Sequence, residues 1–269
     1  PPRRRSCISR TAPLPLRTLS RSYRRRQCQL LVRGPGAAGC LRGSGGPVRH
    51  HRKEALNRIY NSGYNIYTTL DPKIQEIAES VYEDRGSLNN LTSASGQLIH
   101  SGITIIEPST GNIVAWWGDM GPKSGNLLWN YATDIQQPGS SIKPLTAYAP
   151  ALDAGAVSPA TTFDNYPVRL LNGNPWPKNS PNTYTGWTSV RNGVKASINT
   201  IAVQTLEKVG VTAAYQFATE NLGLSLAPED MNVSPLGLGG LTYGLSTVEM
   251  AAATLLSPTA VCTMSPRPT

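Results

Sequence analysis

Ser140 and Lys143 are the residues whose types and spacing could perform covalent chemistry. They follow Pro138 and Gly139, where a helix is expected to begin. Positions i and i+3 lie on one face of a helix, so the lysine amine could reach the serine hydroxyl. The free N–H groups and positive dipole end of a helix start favour the alkoxide that forms as a serine attacks. A lysine partly desolvated there loses proton affinity and can act as the base.

The pattern S-x-x-K is not specific by itself. The chain contains seven lysines and 24 serines, so a serine three positions before a lysine is unsurprising by chance. The structural alternative is a serine that caps a helix beside a lysine in solvent. At this level both interpretations remain open.

The surrounding sequence predicts elements that could position this pair. Residues 64–70 have the composition of a strand, and Asp71 with Pro72 predicts the start of a helix. Segments 98–106 and 113–118 predict a hairpin, and a helix is predicted from 140 to about 154. Three further helices are predicted. The first places Ile198, Ile201, Ala202, Leu206 and Val209 on one face, and the other two span 211–223 and 246–256. Strands before helices predict an α+β domain.

Charge divides the chain into two unlike parts. Residues 1–53 carry thirteen Arg, one Lys and no acidic residue, a charge of +14, whereas 54–269 carry eleven basic and sixteen acidic residues, a charge of −5. All four cysteines lie outside 54–261, so they indicate nothing about the redox compartment of the folded part. The composition excludes collagen, a coiled coil and a polytopic membrane protein.

The Arg-rich segment 1–53 has three interpretations. It could be a nucleic-acid-binding arm, because guanidinium groups neutralise phosphates, or an organellar targeting segment. The interpretation we favour is a non-globular segment, disordered or translated out of frame, because it shows no helical or strand period. The tail at 257–269 has the same Cys-, Arg- and Pro-containing character.

Five collinear blocks between about 54 and 256 resemble the transpeptidase region of class A penicillin-binding proteins. The active-site serine region of that family is similar to QQPGSSIKPLTAYAPAL. The module linker is similar to GYNIYTTLDPKIQ, and the opening hairpin to GITIIEPSTGNIVAWWGD. The second motif region and a later block are similar to TSVRNGVKASINTIAVQTLEKVG and LGLGGLTYGLSTVEMAAA. The resemblance implies a β-lactamase/transpeptidase-like fold, an antiparallel sheet with a helical subdomain.

The resemblance also assigns roles to four residues. Ser140 would be the nucleophile and Lys143 its base. The family's S-x-N motif maps to Ser197 and Asn199, which lie 57 and 59 positions beyond Ser140, between two predicted helices. In the family this serine relays protons and the asparagine holds the substrate amide. The same pattern also occurs at 87–89, 124–126 and 180–182.

The family's third motif, K-[TS]-G, has no match after Asn199, and the K-S-G at 123–125 precedes the nucleophile. In the family the strand carrying this motif supplies one donor of the oxyanion hole, a contact worth about 2.7–4 kcal/mol. We therefore expect the chain to be a truncated fragment with little or no activity by itself. The predicted organisation is a non-globular segment at 1–53, a linker strand and helix at 54–97, a partial transpeptidase domain at 98–256 and a foreign tail.

The expected function is that of a fragment of a peptidoglycan D,D-transpeptidase, which cross-links stem peptides through a serine acyl-enzyme and binds β-lactams. The parent protein would be anchored in the bacterial membrane and work on its extracytoplasmic face. We expect no cofactor, no metal and no specific nucleic acid. The alternatives are a serine β-lactamase-like hydrolase and a non-catalytic protein whose basic arm binds nucleic acid or membrane.

The tryptophans and histidines have a structural and a functional interpretation. The five tryptophans could form a carbohydrate platform, but we expect them mainly to pack the hairpin and the loop 156–188. The histidines lack metal-ligand spacing, and His100 is expected to be structural.

Overall fold

The computed structural model describes residues 31–34, 37–38, 61, 65–84, 92–93, 95–125 and 128–255. Most of the predicted segment 1–53 and all of 257–269 lie outside the described residues. The predicted domain boundaries therefore remain predictions.

Three short strands form an antiparallel sheet in the order β2-β1-β3. They are β1 (Leu31–Gly34), β2 (Ala37–Ala38) and β3 (Asn65–Tyr67). Strand β3 lies within the predicted strand 64–70. The sequence of strand β1 does not alternate apolar and polar residues as strands often do. It is identified as a strand by its antiparallel backbone pairing with β3.

Helix α1 (Pro72–Glu83) begins where the sequence predicts. The Asp71 carboxylate accepts hydrogen bonds from the backbone N–H groups of Lys73 and Ile74, at 2.9 and 3.3 Å, which satisfies donors that a helix start leaves free. Ala78 is the buried residue of this helix, and Ile77 is 65% exposed. The helix therefore contributes little to the hydrophobic core.

The predicted hairpin is confirmed as strands β4 (Ile103–Ile106) and β5 (Ile113–Trp117). Helix α1 covers the backbone groups of β5 that face away from β4. The Gln75 amide accepts from the N–H and donates to the carbonyl of Trp116, at 3.1 and 3.0 Å. The Asp71 N–H donates to the Val114 carbonyl at 2.8 Å. These contacts protect strand β5 from pairing with a further strand.

The region 156–188 contains two small ladders that the sequence does not predict. Strand β6 (Thr162–Asn165) pairs with β9 (Gly186–Ser189), and β7 (Arg169–Leu171) pairs with β8 (Asn174–Trp176). Their short strands carry too few alternating apolar residues to reveal them. The expectation that the tryptophans pack this region and the first hairpin is wrong for Trp129 and Trp187, which are 67% and 76% exposed.

The helical part begins with a continuous segment at 139–153. It consists of a 3-10 turn (Gly139–Ile142), a π turn (Pro144–Tyr148) and α2 (Ala149–Asp153). The predicted helix is thus present, but it is not a regular α-helix at its start. Pro144 has no N–H and cannot donate to the Ser140 carbonyl, which instead accepts from the Lys143 N–H.

Five further helices in the described residues complete the core: α3 (Val190–Lys195), α4 (Asn199–Val209), α5 (Val211–Gln216), α6 (Val233–Leu238) and α7 (Thr247–Leu255). Leu206 of α4 is fully buried against Leu236 of α6 and Ala147. A second cluster joins Ile142 to residues of the later helices. Helices with small antiparallel sheets confirm the predicted α+β class.

No helix in the described ranges combines the length and apolar character needed to cross a membrane.

Candidate active site

The 3-10 turn at Gly139–Ile142 presents Ser140 to solvent. A 3-10 turn has three residues per turn, so positions 140 and 143 lie above one another along its axis. The neighbouring hydroxyl of Ser141 donates to the Pro138 carbonyl at 2.6 Å. The Ser140 hydroxyl makes no hydrogen bond to any residue that the structure describes. Of the two adjacent serines, Ser140 is therefore the one free to react.

Lys143 is almost completely buried, with 2% of its surface exposed. Its Nζ lies 2.7 Å from the carbonyl oxygen of Ser197, 3.1 Å from the Ser197 Oγ and 2.5 Å from the Asn199 Oδ1. Burial disfavours the ammonium form and lowers the pKa of Lys143 to about 8. The structure thus brings the three predicted residues Lys143, Ser197 and Asn199 together.

Ser197 occupies the junction between α3 and α4 in the left-handed conformation, with φ of 53°. A residue with a Cβ adopts this region at a cost of about 1–2 kcal/mol. The junction is held by hydrogen bonds from the Ser197 N–H to the Val194 carbonyl and from the Ile198 N–H to the Gly193 carbonyl, at 3.2 and 2.9 Å. In this conformation both oxygens of Ser197 contact Lys143. Strain retained at such a point is typical of functional residues.

The Asn199 side chain has a fixed orientation. Its Nδ2 donates to the carbonyl of Lys178 at 2.6 Å, so its Oδ1 is the atom that faces Lys143. Neighbouring Asn179 accepts from the N–H of Thr200 at 3.2 Å and donates to the Oδ1 of Asn165 at 2.8 Å. These bonds tie the loop that carries Lys178 to the first turn of α4.

The segment before Ser140 is clamped to the segment 239–245. The Gln137 amide donates to the Leu241 carbonyl and accepts from its N–H, at 2.7 and 2.8 Å. Gly239 has φ of 83°, and a Cβ there would lie 1.9 Å from the Gly139 carbonyl oxygen. Only glycine permits this approach of the two backbones. The turn that carries Ser140 is therefore positioned by residues about 100 positions away.

The sequence analysis missed Gln137, Lys178 and Asn179. Gln137 precedes the nucleophile by three positions, but nothing in a single sequence indicates that its amide pairs with a distant backbone. Lys178 contributes only its carbonyl, which carries no side-chain signal. Of the other S-x-N matches, 180–182 lies in the loop at 177–185, and 87–89 lies outside the described residues. The K-S-G at 123–125 is in a loop, as predicted.

A search against family profiles matches residues 101–228 to the penicillin-binding protein transpeptidase domain. This match includes Ser140, Lys143, Ser197 and Asn199. Residues 101–228 belong to the penicillin-binding protein transpeptidase family. The resemblance predicted from the sequence is thereby confirmed.

Curated relatives agree with this assignment. Penicillin-binding protein 1A of Clostridium botulinum is 31% identical over 216 residues, which cover 76% of this chain and 26% of the relative. Penicillin-binding protein 2a of Streptococcus pneumoniae is 31% identical over 205 residues, which cover 72% of this chain and 26% of the relative. The chain thus spans about a quarter of the length of the curated relatives it matches.

Solved structures confirm the predicted transpeptidase-like fold. The PonA1 protein of Mycobacterium tuberculosis in complex with penicillin V superposes with a TM-score of 0.59 at 21% identity. The superposition covers 77% of this chain and 56% of that one.

Proposed function

We propose that this chain is part of a peptidoglycan D,D-transpeptidase in which Ser140 forms the acyl-enzyme. The observation that carries the proposal is the buried Lys143 amine, held by Ser197 and Asn199 one helical turn from an exposed, unbonded serine hydroxyl. The family assignment supports the substrate class. The activity, substrates and partners proposed here are those of a whole penicillin-binding protein, of which this chain spans about a quarter of the length.

The contacts of Lys143 define where its proton can go. The Ser197 carbonyl and the Asn199 Oδ1 can only accept, so they engage two N–H bonds of the amine in either charge state. The third position of Nζ faces the Ser197 hydroxyl, which can accept from an ammonium or donate to a neutral amine. A proton can therefore pass between Lys143 and Ser197 without movement of heavy atoms. This is the arrangement a proton relay needs.

The proposed reaction begins when the Ser140 Oγ attacks the carbonyl carbon of the D-Ala–D-Ala bond and its proton moves through the Ser197 hydroxyl to the neutral Lys143. Ser197 then relays a proton to the leaving nitrogen as the C–N bond breaks, and D-Ala departs. The amine of a neighbouring stem peptide attacks the Ser140 ester and forms the cross-link as the bond to the Ser140 Oγ breaks. The proton that this amine loses passes through the same relay to the Ser140 Oγ, which restores the hydroxyl and leaves Lys143 neutral. Asn199, whose amide lies beside this relay, holds the substrate amide.

The same serine would be acylated by β-lactams. Attack on the ring carbonyl breaks the ring C–N bond, and the amine that is released stays attached to the acyl group. The stem peptides and the β-lactams are therefore the proposed ligands, and the extracytoplasmic face of the bacterial membrane is the proposed location. The proposed chemistry uses only side chains and needs no cofactor. Among the described residues, no group of three or more His, Cys, Asp or Glu side chains could hold a metal.

Prolonged incubation of the purified chain with a fluorescent penicillin, followed by intact-mass measurement and peptide mapping, tests the proposal. We expect slow formation of one covalent adduct on Ser140 and none in Ser140→Ala. Ser141→Ala is the matched control, because Ser141 is equally exposed and its hydroxyl is bound to the Pro138 carbonyl. It should label as the parent does. An adduct that persists in Ser140→Ala, or a parent chain that never labels, would overturn the assignment.

A further inference from the structure

A cavity of about 630 Å³ lies away from the Lys143 site. It is bounded by helix α1, the end of strand β5 and loop residues in the ranges 118–124 and 128–131. None of Ser140, Lys143, Ser197 and Asn199 lines it. Its volume is in the range of about 300–1,000 Å³ that small-molecule sites occupy. The proposed transpeptidation makes no use of this cavity.

The walls of the cavity include two large aromatic rings that are open to solvent. Trp116 is 43% exposed at the end of β5, and Trp129 is 67% exposed on the facing loop. Exposed apolar surface of this kind, rimmed by polar residues, marks binding sites in folded proteins. A tryptophan also offers a broad, rigid contact surface at low entropic cost.

The polar groups of the cavity are held in place before any ligand arrives. The His100 Nδ1 lies 2.8 Å from the Asp119 carboxylate, and the His100 ring stacks on Tyr131 with centroids 4.6 Å apart and planes 12° apart. The Met120 N–H donates to the other oxygen of Asp119 at 2.7 Å. Because Nδ1 is engaged, the Nε2 of His100 is left for a ligand. Glu79 supplies a second carboxylate, fixed at 2.8 Å from the Gln75 amide.

We propose that this cavity binds a neutral saccharide. A sugar ring presents C–H faces that can pack on Trp116 and Trp129, and hydroxyl groups that can donate to carboxylates and to the Nε2 of His100. The walls carry two carboxylates, Glu79 and Asp119, against one ammonium, Lys123, so they offer no excess positive charge to an anionic ligand. A wholly apolar ligand would remove water from these carboxylates without replacing the hydrogen bonds that water makes, which is costly. The proposal does not depend on the acyl-enzyme chemistry.

Calorimetric titration of the chain with the trimers of N-acetylglucosamine and of glucose tests this site. We expect one of these neutral sugars to bind, with affinity reduced at least about tenfold in Trp129→Ala through loss of one stacking surface. Trp187→Ala is the matched control, because Trp187 is even more exposed but does not line the cavity. It should bind as the parent does, and penicillin labelling should be unchanged in both variants.

Absence of binding by either trimer at millimolar concentration would overturn the proposal. So would an equal loss of affinity in Trp129→Ala and Trp187→Ala. Tetramethylammonium, titrated in parallel, distinguishes a saccharide site from an aromatic cage for cations. Preferential binding of that cation would also contradict the saccharide assignment.

Discussion

Lys143 has its pKa lowered to about 8 because burial removes water from the ammonium. A neutral amine is the form that can accept the Ser140 proton, and it predominates above the pKa. About one tenth of Lys143 is neutral at pH 7, and about nine tenths at pH 9. We therefore expect the acylation rate by penicillin to rise roughly tenfold between these pH values and then level off.

Stopped-time labelling across pH 6 to 10 measures this profile, with Lys143→Arg as the control. A guanidinium stays charged throughout the range, so this variant should label at least about 100-fold more slowly and without the rise near pH 8. A parent rate independent of pH would contradict the role of Lys143 as the base.

Asn199 sets the charge environment of the same amine. In Asn199→Asp, a carboxylate would replace the neutral oxygen 2.5 Å from Nζ, which favours the ammonium and raises the lysine pKa. The rise in acylation rate should therefore move to higher pH, by about one unit or more. The same labelling series measures the shift.

Asn182→Asp is a suitable comparison for this variant. Asn182 belongs to another S-x-N match, is exposed and contacts Tyr184. Its substitution should leave the pH profile unchanged. If both variants shift the pH profile equally, the shift comes from the added negative charge wherever it lies. That result would contradict a specific effect of the contact between residue 199 and Lys143.

The sequence predicts Ser140, Lys143, Ser197 and Asn199 as site residues because their spacing and their surrounding blocks resemble a known family, and their roles stay a prediction. It could not predict the burial of Lys143, whose acceptors come from 54 and 56 positions away. Nor could it predict the left-handed conformation of Ser197, since a serine rarely adopts it. These features arise from tertiary packing.

At the scale of elements, the contact between the 239–245 segment and residues 136–139 holds the turn that carries Ser140. Gly239→Ala would strain a residue with φ of 83° and place a Cβ against the Gly139 carbonyl. We expect a loss of at least about 2 kcal/mol in the free energy of unfolding, measured by urea denaturation. Penicillin labelling should also slow, because the displaced Gly139 directly precedes the nucleophile.

Gly240→Ala is the matched control for this substitution. A Cβ at Gly240 would meet no atom within 4 Å, and this residue is not in the left-handed region. It should change stability by less than about 1 kcal/mol. Equal destabilisation by the two substitutions would show that the close approach at Gly239 does not hold the turn.

Elements with clear local signals were predictable. Asp71 with Pro72 marks the start of α1, and the turn at 107–112 marks the hairpin of β4 and β5. The pairing of β6 with β9 was not predictable, because the two strands lie more than twenty residues apart and their apolar and polar residues do not alternate. The 3-10 and π turns around Pro144 were not predicted. They depend on the N–H that Pro144 lacks and on how the segment packs, and the packing cannot be read from the local sequence.

At the scale of the whole molecule, the α+β class and the family were accessible from the order of the elements and the five blocks. The cavity beside Trp116 and Trp129 was not, since it joins α1, β5 and a loop that are distant in sequence. The same holds for the Gln137 clamp. Sequence patterns indicate candidate residues, whereas the fold determines which of these residues lie next to one another.

The uneven charge of the chain predicts how the whole molecule behaves toward polyanions. Residues 1–53 carry +14 and the remainder carries −5. We expect the intact chain to be retained on heparin or duplex DNA without sequence preference, because its arginines release counterions, and to elute as salt increases. A chain starting at residue 54 should flow through at the same pH. Retention of that shorter chain, or retention of the intact chain that does not depend on salt, would contradict this electrostatic origin.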